Sequence, residues 1–150
     1  MLQPTPDAVK PAPVVQSPDT ISSPPPKTPR QPHEPLKNKR WRLYELNGAA
    51  VAMAEGFRQE PYIMLSLQTN RAKGAASCNR FGGTYSVDGE QLAFSEMLTT
   101  KVNCDGAMEV EREFLRGLEL VNRYRMVGED SVVFLQNSKV VMRLAALYLN

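Results

Sequence analysis

Eleven of the twelve prolines fall between Pro4 and Pro35, and only Pro61 lies beyond them. Proline fixes φ and removes a backbone donor, so a run this dense fits neither a helix interior nor a central strand. The same stretch has almost no aromatic or large aliphatic side chains, and it cannot bury enough apolar surface to offset the entropy of ordering. Residues 1–37 therefore read as a disordered or polyproline-like tether, with a reach of roughly 30 Å as a coil or about 110 Å as extended polyproline. What can fold is residues 38–150, which hold the single Trp, all five Tyr and all five Phe and suffice for one core.

Within that part, Cys78-Asn79-Arg80-Phe81-Gly82-Gly83-Thr84-Tyr85 organises the pattern. The Gly pair lets the backbone bulge or approach another segment, and Asp88-Gly89 between alternating runs signals a tight hairpin. Its core face carries Tyr85, Val87, Leu92 and Phe94. Strands are also expected over 40–46, 61–68, 71–77 and 98–104, the last with Leu98, Thr100 and Val102 on one side. Asn47-Gly48 is a type I′ turn signal, with a weak partner strand over 49–54. One helix is expected from Ala107 to Val121, on the apolar set Ala107, Val110, Phe114, Leu115, Leu118 and Val121, with Asp105 as N-cap and Asn122 closing the C-terminus. Three strands complete the chain, over 123–127, 131–136 and 139–149. The fold class is α+β: a strongly curled antiparallel sheet, an incomplete barrel, with one helix packed across it.

The net charge is +2, and residues 38–150 carry fourteen basic and thirteen acidic side chains. That balance argues against a nucleic-acid binder, which needs a concentrated basic face. The exception is Lys37, Lys39, Arg40 and Arg42, where the tether meets the domain, read as a solvated run or as a contact for anionic head groups or an acidic partner. No run approaches the roughly 20 apolar residues of a membrane helix. A Pro/Ser/Thr-rich stretch starting at Met1 reads as the segment downstream of a removed export signal or lipid-anchor site.

The folded part resembles the META domain, or HslJ-like domain, of bacterial envelope proteins, over roughly residues 40–147. The resemblance rests on Cys78-Asn79-Arg80-Phe81 with Gly83-Thr84-Tyr85, on Met97-Leu98-Thr99-Thr100-Lys101-Val102-Asn103-Cys104, and on Met108-Glu109-Val110-Glu111 with Phe114, Leu115 and Leu118. Trp41, Leu43, Leu46 and Asn47-Gly48 at the start, and Tyr124, Gly128, Val132 and Leu135 at the end, fall in the right order. Ser77 replaces the usual Gly before the Cys, and Gly82 a frequent Ser. The resemblance implies an exported, periplasmic or outer-membrane-associated protein, often a lipoprotein, linked in some members to stress response or antibiotic tolerance. It supplies no catalytic residues.

His33 is the only histidine and lies in the tether, so neither a triad nor a His-based metal site can be assembled. Cys78 and Cys104 read as a disulfide, as two small core residues or as a redox pair; the oxidising compartment implied by the resemblance favours the disulfide, which would close the Cys78 bend onto the end of the following strand. Glu109, Glu111 and Glu113 read as a solvated, salt-bridged helix face with Arg112 and Arg116. The methionines read as core filler or as the lining of an apolar groove. Candidate partner-binding residues are Asn79, Arg80, Gly82, Gly83 and Arg143, with Lys139 to Leu149 as an exposed edge strand. Accordingly the chain is expected to be no enzyme, to use no cofactor or metal, to bind no nucleic acid and to act as a monomer. Its expected partner is an envelope protein or lipid. An alternative is a pilot-like protein binding a lipid or an apolar segment of an envelope or secretion component.

Overall fold

The computed structural model describes residues 34–147; residues 1–33 of the expected tether, with His33, and Tyr148 and Leu149 of the last expected strand, lie outside the described residues. The elements are β1 (Arg40–Leu46), β2 (Ala49–Ala50), β3 (Tyr62–Leu65), β4 (Arg71–Ala75), β5 (Arg80–Asp88), β6 (Gln91–Thr99), α1 (Met108–Leu120), β7 (Arg123–Met126), β8 (Ser131–Gln136) and β9 (Lys139–Leu147). Neighbouring strands pair in the order β2-β1-β3-β4-β5-β6-β7-β8-β9, and β9 returns to pair with β1. Every ladder is antiparallel. The sheet thus curls into a ring, but β6 and β7 meet only at Gln91 and Arg123, so it is not a regular barrel.

Alternation sets the inside. Trp41 and Leu43 of β1, Ile63 and Leu65 of β3, Phe81 and Tyr85 of β5, Leu92 and Phe94 of β6, and Phe134, Met142 and Leu144 of β8 and β9 share one buried cluster. Both mouths of the ring are covered. At one, a 3-10 turn at Glu34–Leu36 brings Leu36 to full burial, and Trp41 Nε1 donates to the Leu36 carbonyl at 2.7 Å. Leu36 thus belongs to the core, although it falls inside the stretch assigned from sequence to the tether.

Helix α1 crosses the other mouth. The Phe114 ring meets Phe81 edge-on at 5.7 Å, and a Cβ added at Gly117 would lie 2.9 Å from Met142 Cε and 3.0 Å from Val141 Cγ1. A larger residue there would have to displace the Met142 methyl and press on Val141, so glycine lets the helix lie close to β9 without that shift. The helix starts at an Ala107 N-cap with no side-chain cap bond and ends at Val121, which corrects the expected caps. Asp105 does not cap it, and the Asn122 carboxamide instead accepts from the amide of Asn137 at 2.8 Å.

Three further expectations differ. The strand expected at 98–104 is the end of β6, which stops at Thr99. A bulge opposite Gly83, with Glu96 at φ 56°, shifts the register and turns Leu98 outward, 79% exposed. The partner of β1 at 49–54 shrinks to two residues. Finally, β9 is not an edge strand, because it pairs with β8 on one side and β1 on the other; closure of the ring consumes the donors and acceptors that an edge would offer.

Candidate functional site

The densest set of polar groups lies where the Cys78-Asn79 bend meets the 100–107 loop and the first turns of α1. Glu111 is 4% exposed. Its Oε1 accepts from the backbone amides of Cys78 at 2.9 Å and Asn79 at 2.8 Å, and its Oε2 accepts from Asn79 Nδ2 at 2.5 Å. Asn79, 3% exposed, also donates from Nδ2 to the Val102 carbonyl at 2.8 Å. Its Oδ1 accepts from Thr100 Oγ1 and from the Val102 amide, both at 2.7 Å. Ser77 Oγ donates to the Ala107 carbonyl at 2.6 Å.

These contacts explain why the 100–104 segment leaves the sheet. The Asn79 carboxamide offers the backbone of Val102 both a donor and an acceptor, a substitute for a ladder partner. A disulfide between Cys78 and Cys104, with Cα atoms 5.9 Å apart, holds the same two segments, as the disulfide reading of these cysteines expects. Glu111 corrects the solvated-face reading. It lies four residues after Ala107 and three before Phe114, on the stripe that continues through Leu118 and Val121, and that position is the signal in the sequence for its burial. A buried carboxylate is tolerated when charge-assisted bonds occupy its oxygens, and here backbone and carboxamide donors do so.

A family model described as the META domain matches residues 34–147. The chain belongs to the META domain family. No curated protein matches the chain. Among solved structures, an NMR structure of a protein from Burkholderia xenovorans is similar, with a TM-score of 0.61 at 20% identity over 91% of this chain and 100% of that one. A second NMR structure has a TM-score of 0.59 at 17% identity, over 77% of this chain and 96% of the other. At these identities the likeness concerns the fold.

In this META domain the candidate partner-binding residues do not form one site. Asn79 is consumed inside the bracket. Gly83 is buried against β6, where an added Cβ would fall 2.5 Å from Met97 Sδ and 2.8 Å from the Ser95 carbonyl. Arg80 is exposed, its amide bonded to Thr100 Oγ1 at 3.1 Å, and Gly82 faces outward beside it. Arg143 is on β9, where Nε donates to Glu45 Oε2 at 2.9 Å. In the ring order β1, β3 and β4 stand between β5 and β9. Among the described residues no three His, Cys, Asp or Glu side chains group as metal ligands would, and no helix is long and apolar enough to cross a membrane.

A surface depression of about 720 Å³ is open and polar, lined by Asp88, Glu90, Asn122, Arg123 and Asn137 among others. Arg123 pairs there with Glu90 at 2.7 Å. Nearby, burial followed by the charge of Glu90 raises the Tyr124 hydroxyl above its ordinary value.

Proposed function

We propose that this META-family chain is a non-catalytic accessory or binding module of the bacterial cell envelope, acting through its outer surface. The observation that carries the reading is that the motif most typical of the chain is spent internally. Asn79 and Glu111 hold one another, the backbone of Cys78 and Val102, and the start of the helix. A polar cluster built for catalysis leaves a donor, acceptor or nucleophile open to substrate; this one is saturated and closed by a disulfide. The disulfide also fits an oxidising compartment outside the cytosol, consistent with a periplasmic or outer-membrane location and with a part in stress or antibiotic tolerance.

The test is capture by crosslinking of the full chain in bacterial envelope fractions, together with hydrolase and transferase screens on the pure protein. Specific capture weakened by Arg80→Glu or Arg143→Glu, without turnover, is the expected result. Turnover that tracks the pure protein through purification overturns the reading.

A second reading, a pilot-like protein that carries a lipid or an apolar segment, is favoured by Leu98 at 79% and Val102 at 45% exposure. The ring interior is filled by Trp41, Phe114 and Phe134, so such a segment would lie on this outer ledge. Replacing Leu98 with Ser would then abolish its capture.

A further inference from the structure

We infer that the outer face of β1, β3 and β4 docks the domain onto an anionic lipid surface; this rests on the binding-module reading and names the partner's chemistry. The alternation that sends Trp41, Ile63, Leu65 and Ala72 inward turns Arg40, Arg42, Tyr62, Met64, Arg71 and Lys73 outward. Register places them side by side: Arg40 opposite Met64, Arg42 opposite Tyr62, and Met64 opposite Lys73. Four cations therefore surround a Tyr-Met centre.

None of the four forms an ion pair among the described residues, where Arg123 pairs with Glu90 and Arg143 with Glu45. One carboxylate lies on the rim: Glu60 lines a depression of about 110 Å³ with Arg40, Arg42, Gln59, Tyr62 and Leu147. A second depression of about 190 Å³ lies between Met64, Ser66, Arg71 and Lys73. Each is flanked by two cations and has room for a phosphate-sized group. The Arg40 guanidinium lies 4.1 Å over the Tyr62 ring, which holds it in place and leaves it little to lose on binding.

The chemistry of the patch selects the partner. Four cations outside any ion pair, with one carboxylate at their rim, create a local positive potential although the domain as a whole is nearly neutral. Phosphate head groups supply the missing anions, and a Tyr-Met centre suits the boundary between head groups and acyl chains. Neighbouring strands are only about 4.8 Å apart, so the long outward side chains of three of them can reach one surface. A linear polyanion would be served better by a groove lined with hydrogen-bonding side chains than by an apolar centre.

The experiment is co-sedimentation of the full chain with vesicles of phosphatidylcholine containing phosphatidylglycerol, against vesicles of phosphatidylcholine alone. Binding is expected to the first only, to weaken as salt is raised, and to fall about 25-fold in the double variant Arg71→Gln/Lys73→Gln, at about fivefold per cation. Arg112→Gln/Arg116→Gln, on the exposed side of α1, should bind as the parent does. Circular dichroism checks the fold, and Arg42→Gln/Lys73→Gln is the second pair should the first not fold. No sedimentation with the anionic vesicles, equal sedimentation of the folded variant, or capture by soluble polyphosphate in their place overturns the inference. If vesicle binding fails while crosslinking still captures an envelope protein, the docking face falls and the module reading stands; enzymatic turnover would remove that reading whatever the vesicles show.

Discussion

Glu111 on helix α1 accepts hydrogen bonds from the adjacent backbone amides of Cys78 and Asn79, at 2.9 and 2.8 Å. One side chain thereby ties the helix to the bend between β4 and β5, across 32 residues of sequence from Asn79. Replacing Glu111 with Ala leaves two buried amides and the Asn79 carboxamide short of an acceptor. The expected loss is about 3–5 kcal/mol in urea unfolding, since bonds to a charged group are worth about 1.5–3 kcal/mol each and do not add fully. A loss under about 1 kcal/mol would mean that water replaces the carboxylate and that the bracket is not a main fastening.

The disulfide holds the same junction covalently. Cys78 and Cys104 are 26 residues apart, and replacing both with Ser should cost about 3–4 kcal/mol by the loop-closure entropy of the unfolded chain. Because bridge and bracket restrain the same two segments, the triple variant with Glu111→Ala should lose more or less than the sum of its parts. Strict additivity in the resulting double-mutant cycle would show that they act separately.

Truncation separates the tether from the domain at a definite residue. Removing residues 1–33 should shift the thermal midpoint by no more than about one or two degrees, because a stretch so rich in Pro and poor in large apolar side chains has little to contribute to a core. Removing 34–37 as well deletes Leu36 from the core and orphans Trp41 Nε1. That step should cost about 2–4 kcal/mol, from the transfer of a leucine and a lost hydrogen bond, and should alter the tryptophan fluorescence. Equal midpoints for the two truncations would show that the turn does not close its mouth.

Alkaline titration addresses the ring from another side. Burial raises Tyr85 above its ordinary value of 10.0, and its hydroxyl donates to the Ser66 carbonyl at 2.5 Å; burial and then Glu90 raise Tyr124. A phenol whose folded value is raised holds its proton more tightly when folded, so its contribution to stability is complete below pH 10 and is lost as pH rises through the folded value. Spectrophotometric titration should show late-ionising tyrosines whose release coincides with unfolding. Replacing Tyr85 with Phe should remove one of them. If all tyrosines titrate together near 10 in a folded protein, the burial argument fails.

Local pattern was enough for much of this fold. Two-residue alternation placed Tyr85, Val87, Leu92 and Phe94 on one face, and the pairing of Tyr85 with Phe94 and Val87 with Leu92 confirms that face. The Asn47-Gly48 turn adopts positive φ at both residues, 51° and 85°, because each tolerates the left-handed region that a tight hairpin turn demands. The curled antiparallel class and the helix came from the same periodicities. Ring closure did not, since whether β9 meets solvent or β1 depends on the accumulated twist of all the intervening strands. The fates of Leu98 and Val102 were also out of reach. Alternation alone continues them as a strand, whereas a bulge opposite Gly83 and the carboxamide of Asn79, more than twenty residues from Val102, draw that segment off the sheet. Glu111 was half legible: its place on the apolar stripe was visible, but a carboxylate there is acceptable only once the bend at Cys78 and Asn79 supplies its donors. Tertiary contact thus decided the roles of the polar side chains, because a polar group's cost or value inside a protein depends on partners that the neighbouring sequence does not contain.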